Sequence, residues 1–277
     1  MSGTGIVADV EALAALVPDG TRLGVPKDTT GVAMALTRAL VRRGVKNLHV
    51  VALPQSGIQS DILIGAGCVD TVETAAVTLS EHGLAPCFIR AVKTGAIKLK
   101  DSTCPAIYAG MQAGVKGQPF VPIRGLIGSD LVAHRADEYR VIDNPLQPGD
   151  PLVIVPAIRP DIAVFHAAMA DRDGNVYVGA ERDCFTLAHA AMRCLVTVEE
   201  IVDDNLLADR LRRPATIPSI YIEAVAEARQ GAWPLALGGS YGPDNDHLAL
   251  YAKMAGSPEG FVEYVERFVM ERAAAAE

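Results

Sequence analysis

Aromatic residues are scarce in this sequence of 277 residues. Phe, Tyr and Trp together make up 5% of it, and the 50% that is hydrophobic consists mainly of Ala, Val, Leu and Ile. Small aliphatic side chains of this kind suit a parallel sheet that is covered by helices, and they suit an antiparallel sandwich less well. The composition therefore favours an α/β fold.

Long hydrophobic runs and blocks of one charge are also missing. No stretch approaches 18 apolar residues, and the N-terminus has no basic region followed by an apolar core, so we expect no membrane span and no signal peptide. The formal net charge is −8 without a long Lys/Arg block, which argues against nucleic acid and anionic membranes as partners. No Gly-, Pro- or Ser-rich linker divides the chain, so we expect a cytoplasmic protein with one domain over residues 1–277.

Cysteine and histidine patterns that would form sites are absent as well. The five cysteines include no CxxC pair, and the six histidines form no HxxxH or HExxH pair. An odd number of unpaired cysteines predicts neither a disulfide framework nor a zinc site. We therefore expect these residues to be structural or on the surface.

What the first half does contain is an alternation of strand and helix patterns. Residues 21–25 and 47–53 are apolar runs that predict buried strands. Residues 32–43 between them predict a helix that Gly44 ends. A strand, helix and strand at this spacing indicate a right-handed βαβ unit.

A further apolar run, DILIGAGCV, occupies residues 61–69 and is interpreted as another strand. Gly65 and Gly67 would then follow the apolar core of that strand directly. Glycine at such a position permits a positive φ or close approach of another group to the backbone. We therefore include both glycines among the candidate binding residues.

The second half is less regular. LVIV (residues 152–155) and IAVF (residues 162–165) predict buried strands, and DRDGN (residues 171–175) has the Asp-Gly pair of a tight hairpin turn. The polar segment 138–151, which contains NPLQPGDP, indicates a loop or the edge of a subdomain.

The strand-to-helix segment GVPKDTTG, residues 24–31, invites a phosphate-binding interpretation. It is not a Walker A loop, because Gly31 is followed by Val32 instead of Lys, and it is not GxGxxG. Its position still favours ligand contact, because ligands of open α/β sheets bind at the carboxyl ends of strands. PQSGIQS (residues 54–60) follows the next strand and should lie beside it.

The polar residues of this loop also predict a helix cap. Asp28, Thr29 or Thr30 precedes the helix over residues 32–43, where a side-chain oxygen can accept from the first free N–H groups. The cap and the ligand contact do not exclude each other.

KLKDSTCP, residues 98–105, gathers polar residues just before another predicted helix. Cys104 near that helix N-terminus could be a nucleophile, but no His or Asn partner is visible, so a helix cap is the favoured interpretation. GxSxG is absent too. The residues themselves predict no self-sufficient catalytic constellation.

Longer stretches carry a family resemblance. Five stretches resemble, in this order, the A subunit of class I CoA-transferases of the glutaconate type. They are residues 61–92, MQAGVKGQPFVPIRGLIGSDL, VPAIRPDIAVFHAAMADRDGNVYV, LVTVEEIVDD and IPSIYIEAVAEARQGAWPLALGGSYGPDNDHLALY. The similarity extends from residue 21 to about residue 254. It implies an open, mainly parallel sheet flanked by helices on both faces, shared with isomerases of the ribose-5-phosphate type.

The resemblance also implies a mechanism and a partner. In this family the B subunit carries a glutamate that attacks the acyl-CoA, and the A subunit shapes the acyl pocket, usually in an A2B2 assembly. A CoA thioester and a small carboxylate would be the substrates, with no tightly bound cofactor and no catalytic residue on this chain. The expected substrate-binding residues are Lys27, Asp28, Thr29, Thr30, Gln55, Ser56, Gly65, Gly67, Asp101, Ser102, Thr103, Arg124 and Ser129, with Lys27 or Asp28 facing the acyl pocket.

Two departures from the family pattern leave alternatives open. Many A subunits have a Gly-Gly-rich turn where this chain has residues 24–31, and relatives often carry a glutamate where it has residues 100–103. Some relatives hydrolyse C–C bonds in cyclic CoA thioesters, with water as the nucleophile, so a hydrolase subunit is the first alternative. The second is a stand-alone, sugar-isomerase-like binding protein, which should show a carboxylate-plus-lysine site such as Lys98, Lys100 and Asp101 within one chain.

Overall fold

The computed structural model describes residues 5–271, and its main element is an open sheet of ten strands. Eight of them run parallel, and the remaining two pair antiparallel at its margin. Numbered along the chain, the parallel strands stand in the spatial order β1 (Gly5–Ile6), β13 (Ala224–Glu227), β11 (Arg193–Val202), β9 (Ile162–Asp171), β2 (Arg22–Val25), β3 (Leu48–Ala52), β4 (Val69–Thr74) and β5 (Lys98–Asp101).

Alternate residues of the central strands β3 and β9 enter two different hydrophobic cores. In β3, Val50 packs in the core on one face and Val51 in the core on the other. In β9, Val164 and Phe165 divide in the same way. Because side chains point alternately to opposite faces, a strand buried on both faces must be apolar throughout, which is why these runs are recognisable in the sequence.

Helices cover both faces, and the predicted fold class is confirmed. One core includes α1 (Val10–Ala15), α2 (Met34–Arg43), α3 (Ile58–Gly65), α4 (Pro86–Thr94), α8 (Asn245–Met254) and α9 (Pro258–Val265). The other includes α5 (Cys104–Val115) and α7 (Arg182–Ala190). Gly44 ends α2 with a φ of 73°, the left-handed conformation that favours glycine there.

A second, three-stranded antiparallel sheet lies beside the main one. It has the order β6 (Phe120–Ile123), β8 (Pro151–Pro156), β7 (Arg140–Asp143), and α6 (Leu131–His134) lies within the same segment. The predicted strand at 152–155 therefore exists, but it belongs to this sheet. The segment 138–151 contains β7, which agrees with the edge of a subdomain.

The predicted hairpin turn is also present. After β9 the chain turns at Gly174, whose φ is 84°, into β10 (Val176–Tyr177), which pairs with β9 and with β12 (Thr216–Ile217). Buried Asp171 accepts hydrogen bonds from the backbone N–H groups of Asp173 and Asn175. The Asp-Gly pair thus acts as the sequence predicts.

The interpretation of residues 61–69 as a strand is wrong. Residues 58–65 form α3, and β4 begins only at Val69. Asp61 is fully buried within this helix. Its carboxylate accepts hydrogen bonds from the N–H groups of Cys87 and Phe88 and from the Tyr251 hydroxyl, at 2.6–3.3 Å. A buried acid is tolerated when such donors replace water.

The two glycines consequently lie elsewhere than predicted. Gly65 ends α3 and packs so closely on Phe261 that a Cβ atom would meet that ring at 2.4 Å. Gly67 has a φ of 66° in the turn that leads into β4. Both precede a parallel strand, so they lie at the amino edge of the sheet, opposite to the loop of residues 24–31.

The strand order reverses between β2 and β9. From β2 the chain proceeds through β3, β4 and β5 in one direction, and from β9 through β11 and β13 in the other. Ligands of open α/β sheets bind outside the carboxyl ends of the strands at such a topological switch point. Residues 26–31 lie there, because they follow β2 directly.

None of the helices within the described residues 5–271 is long and apolar enough to cross a membrane.

A first prediction concerns the start of α5. Thr103 is its N-cap, and Thr103 Oγ1 accepts from the backbone N–H of Ala106 at 3.3 Å, so the favoured cap interpretation of this segment is confirmed. We expect Thr103→Ala to lower the free energy of unfolding by about 1 kcal/mol, measured by urea titration. Thr94→Ala, at the exposed end of α4, should stay within about 0.5 kcal/mol. Equal losses in both variants would contradict the cap.

Candidate active site at the sheet switch point

Hydrogen bonds fix the loop of residues 26–31 against β9 and against the segment of residues 236–238. The carbonyl of Gly31 accepts from the N–H of His166 in β9 at 2.7 Å, and the N–H of Gly31 donates to the carbonyl of Ala236 at 3.1 Å. Thr30 Oγ1 accepts from the N–H of Gly238 at 2.9 Å. Gly31 has a φ of 67°, so this close approach requires glycine.

A buried hydrogen-bond network surrounds the side chain of His166, whose backbone N–H binds the loop. His166 is 1% exposed, with Nδ1 2.9 Å from Thr197 Oγ1 and Nε2 2.7 Å from Glu199 Oε1. The Tyr241 hydroxyl donates to the same Glu199 oxygen at 2.8 Å. Although burial raises the pKa of Glu199, these hydrogen bonds hold it below its usual value, so the group is an ionised structural anchor.

The loop does not cap the helix that follows it, so that prediction is wrong. The N-cap of α2 is Ala33, which has no side-chain cap. Instead, Asp28 Oδ2 accepts from the N–H of Ile58 at 2.9 Å, at the start of α3. Asp28 therefore ties the loop to the neighbouring segment, and the predicted proximity of residues 24–31 and 54–60 is confirmed.

One side of the loop borders a cavity of about 250 Å³ that we call the polar cavity. Its lining residues are mostly charged or polar: Pro26, Lys27, Thr29, Thr30, Ala180, Glu181, Arg182, Asp183 and Cys184. The second half of this set belongs to the start of α7 and the residues before it. Both signs of charge are therefore present at the switch point.

The carboxyl groups of the polar cavity titrate above their usual range. Burial raises the pKa of Glu181, while a hydrogen bond from Thr30 and the charge of Lys27 oppose the shift. Burial likewise raises the pKa of Asp183, whose oxygens accept from the Tyr108 hydroxyl at 3.1 Å. Burial and this carboxylate raise the pKa of Tyr108 to about 12. These groups are suited to binding and to sharing protons.

The other side of the loop borders a cavity of about 230 Å³ that we call the apolar cavity. It lies between the loop, the turn around residues 79–82 and the start of α8. Five of its lining residues are apolar, three of them leucines, and six are polar or charged: Asp28, Thr29, Leu79, Ser80, Glu81, His82, Leu235, Ala236, Pro243, Asn245 and Leu248.

Among these lining residues, Asp28 has the most strongly shifted pKa. Burial raises the pKa of its carboxyl to about 7, against the backbone hydrogen bonds at the start of α3, and Asp61 adds to the rise. Its second oxygen, Oδ1, is buried and has no hydrogen-bond partner within residues 5–271. The same holds for His82 Nε2 in that part of the chain. A buried polar atom without a partner is costly, so a ligand group that reached either atom would relieve that cost.

The structure brings together only part of the predicted set. Lys27, Asp28, Thr29 and Thr30 border the two cavities, and Gln55 and Ser56 lie in the adjacent segment. Ser56 is 1% exposed, and its Oγ accepts from the Ser60 hydroxyl.

The predicted residues at the end of β5 are farther away. Asp101, Ser102 and Thr103 lie at the same edge of the sheet, but three strands and so about 14 Å from β2. The Ser102 hydroxyl is buried against the Tyr139 hydroxyl at 2.8 Å. Lys98 to Asp101 form β5, and Lys100 pairs with Glu138, so this lysine is not free for a site.

Arg124 and Ser129 belong to the segment of the small sheet. Arg124 makes two hydrogen bonds to the Asp150 carboxylate, and the Ser129 hydroxyl donates to the carbonyl of Leu126. Both side chains thus have local partners, and a role in binding stays a prediction.

Sequence reasoning missed Glu181, Asp183, Tyr108 and His82. They come to the loop from distant parts of the chain, and none stands in a recognisable motif. The one available signal is their position: residues 181–183 follow the hairpin after β9, whose carboxyl end faces the same edge as that of β2.

The arrangement can bind and polarise a ligand, and its Cys184 thiol is not an activated nucleophile. Burial raises the pKa of the Cys184 thiol well above its ordinary value, which excludes a reactive thiolate there. Within residues 5–271 no three His, Cys, Asp or Glu side chains come together as a metal site requires. The two described cavities are therefore candidate binding spaces on either side of the loop.

Comparison with known proteins gives this site a context. The sequence model of the Coenzyme A transferase family matches residues 7–228. The A subunit of the 3-oxoadipate CoA-transferase of Pseudomonas knackmussii is 30% identical over 266 residues, covering 94% of this chain and 91% of that protein. The crystal structure of glutaconate coenzyme A-transferase from Acidaminococcus fermentans superposes with a TM-score of 0.89 and 27% identity, covering 97% of this chain and 90% of that one.

Two further relatives differ in activity or length. The cholesterol ring-cleaving hydrolase IpdA subunit of Rhodococcus jostii is 30% identical over 244 residues, covering 85% of this chain and 82% of that protein. An uncharacterized protein of Archaeoglobus fulgidus is 33% identical over 241 residues, covering 86% of this chain. The chain spans about half of that protein's length, since the match covers 53% of it.

Proposed function

This chain belongs to the coenzyme A transferase family, and from this premise we propose that it is the A subunit of an acyl-CoA:carboxylate CoA-transferase built from two kinds of chain. A partner B subunit would supply the catalytic glutamate, in an A2B2 assembly, and this chain would shape the acyl and CoA pocket. The observation that carries the proposal is the charged cavity at the sheet switch point, which is lined by Lys27, Glu181 and Asp183.

The reaction would proceed by covalent catalysis on the partner. The glutamate carboxylate attacks the thioester carbonyl and expels the CoA thiolate, which gives a mixed anhydride. The thiolate then attacks the glutamyl carbonyl of the anhydride, and the acyl group leaves as a carboxylate. A second carboxylate attacks the resulting glutamyl-CoA thioester, and the same two steps in reverse form the new acyl-CoA and regenerate the glutamate.

This chain would contribute electrostatics and fit. The Lys27 ammonium in the polar cavity can hold a carboxylate substrate, while Glu181 and Asp183 keep the net charge of the cavity balanced. Because Lys27 belongs to a loop that hydrogen bonds to His166, Ala236 and Gly238 hold in place, its charge is positioned before the substrate arrives.

The proposal predicts strict dependence on the partner. We expect the purified chain to show no CoA transfer with any of several acyl-CoA donors and carboxylate acceptors, because the attacking glutamate is proposed to lie on the partner. Adding the B subunit should restore turnover that requires the acceptor. Free CoA and the new thioester are measured by chromatography, and the control reaction contains only the B subunit. Turnover by this chain alone would overturn the assignment.

The hydrolase is the second candidate, because a ring-cleaving hydrolase subunit is also 30% identical to this chain. The same assay separates the two: a transferase needs the carboxylate acceptor, whereas a hydrolase consumes its CoA thioester in water alone. Loss of substrate without an acceptor would assign the complex to the hydrolases.

A further inference from the structure

The apolar cavity has an aliphatic wall and two polar atoms that lack partners. Leu79, Leu235 and Leu248 are the large aliphatic residues of this wall. Asp28 Oδ1 and His82 Nε2 are buried without a hydrogen-bond partner in the described chain, and both residues line the cavity. A ligand that satisfies both atoms gains hydrogen bonds that the free protein does not make.

The size of the cavity limits the ligand. Its volume of about 230 Å³ holds about seven or eight groups of the size of a water molecule. An acyl chain of about five carbons with one polar group at its far end fills this space, with its methylene groups against the leucines.

The charges around the cavity decide which polar group fits. Its described lining includes the acids Asp28 and Glu81 and neither Lys nor Arg. Asp61 adds further negative charge near Asp28, and Lys27 lies on the other side of the loop, in the polar cavity. A second carboxylate beside Asp28 would be desolvated without a counter-ion, which is unfavourable. A neutral hydroxyl can donate to Asp28 Oδ1 and accept from His82, and an oxo group can accept from His82.

We propose that the apolar cavity is the acyl subsite and that Asp28 and His82 select acyl groups of about five carbons ending in a neutral hydroxyl or oxo group. This inference rests on the proposed function. It separates the chain from relatives that are named for glutaconate and 3-oxoadipate, since both of these compounds are dicarboxylates.

Three thioesters of equal chain length test the inference at pH 8 on the complex with the B subunit: 5-hydroxypentanoyl-CoA, pentanoyl-CoA and glutaryl-CoA. We expect kcat/KM for the hydroxy compound to exceed that for glutaryl-CoA at least tenfold. Asp28→Asn removes the negative charge and should reduce this ratio to about threefold or less. His82→Leu should remove the advantage of the hydroxy compound over pentanoyl-CoA. Asp203→Asn, an exposed acid paired with Arg172, should leave all ratios unchanged.

Calorimetric binding of the same thioesters to the complex provides a second measurement that needs no turnover. If no thioester is turned over but the order of affinities and its response to Asp28→Asn hold, the proposed function fails and the inference stands. If transfer occurs but glutaryl-CoA is used and bound as well as the hydroxy compound, with ratios that Asp28→Asn does not change, the inference is overturned and the transferase stands.

Discussion

Replacing Glu73 by Gln is expected to lower the free energy of unfolding by about 3–5 kcal/mol at pH 7, because the substitution breaks a buried ion pair. Glu73 is 2% exposed, and its carboxylate accepts from Arg22 at 2.8 Å and from Arg135 at 2.9 Å. Arg135 is itself 4% exposed and pairs with Glu138 as well. The variant would leave the guanidinium of Arg135 buried beside a neutral amide.

The effect should depend on pH in a defined direction. Burial alone would raise the pKa of Glu73, but His49 Nε2, 3.3 Å from its carboxylate, and the charges of Arg22 and Arg135 hold it well below its usual range. A lowered pKa means that the stabilisation is present above the unfolded value of about 4.3 and is lost as the pH falls from there towards the folded value. The difference between wild type and Glu73→Gln should therefore shrink below about pH 4.

Urea unfolding followed by circular dichroism measures this difference. The matched control is Glu223→Gln, because Glu223 pairs with Arg193 at the surface, where both side chains are more than a third exposed. That variant should lower the free energy of unfolding by less than about 1 kcal/mol. If Glu73→Gln costs no more than this control, the buried network does not stabilise the fold as we infer.

The parts of the fold that sequence predicts well are those with a strong local pattern. β2, β3 and β9 are mostly apolar because they are buried within the sheet, and Gly44 marks the end of α2 because only glycine adopts its conformation cheaply. The family predicted from the longer matching stretches is confirmed as well. Each of these signals lies within a continuous segment of the chain.

α3 shows where local pattern fails. Every residue from Ile58 to Ile64 is buried, so the helix has no polar face whose 3.6-residue period would distinguish it from a strand. Its buried Asp61 is explained only by Tyr251 and the start of α4, which are distant in sequence. Period alone cannot assign a short apolar run of this kind.

The candidate site was predictable as a location but not as a set of side chains. The carboxyl end of β2 identifies the loop, because ligands of open sheets gather there. That Asp28 would bind the start of α3 instead of capping α2, and that Glu181 and Asp183 would face Lys27, depends on contacts between separate segments. One sequence without its relatives contains no signal for such contacts.

Asp28→Asn is expected to change the pH dependence of stability by about 3 kcal/mol between pH 5 and pH 8. The folded pKa of Asp28 is about 7 because the carboxyl is buried, and the unfolded value is about 3.9. A raised folded pKa means that stability is fully present below the unfolded pKa and is lost as the pH rises through the folded one. In wild type this loss is about 1.4 kcal/mol per pH unit up to about pH 7. Asn does not titrate, so the free energy of unfolding of the variant should rise relative to that of wild type as the pH increases over this range.

Urea unfolding of both proteins at pH 5, 6, 7 and 8 tests this, since the constant cost of the amide cancels in the comparison across pH. Asp150→Asn is the matched control: the hydrogen bonds from Arg124 and Asn144 hold the pKa of Asp150 at about 2, so its carboxyl is ionised in both states above pH 5. The stability difference of this control should stay constant over the range. A constant difference for Asp28→Asn too would show that its carboxyl is solvated in solution.

The same titration links stability to binding. Between pH 7 and 8 the folded chain holds an ionised Asp28 whose Oδ1 has no partner in the described residues, so a ligand hydroxyl that donates to it should relieve part of the cost. In the complex with the B subunit, 5-hydroxypentanoyl-CoA should therefore stabilise wild type more than pentanoyl-CoA does, and the gap should narrow in Asp28→Asn. Equal stabilisation by the two thioesters at pH 8 would mean that the unpartnered oxygen does not contact the acyl end.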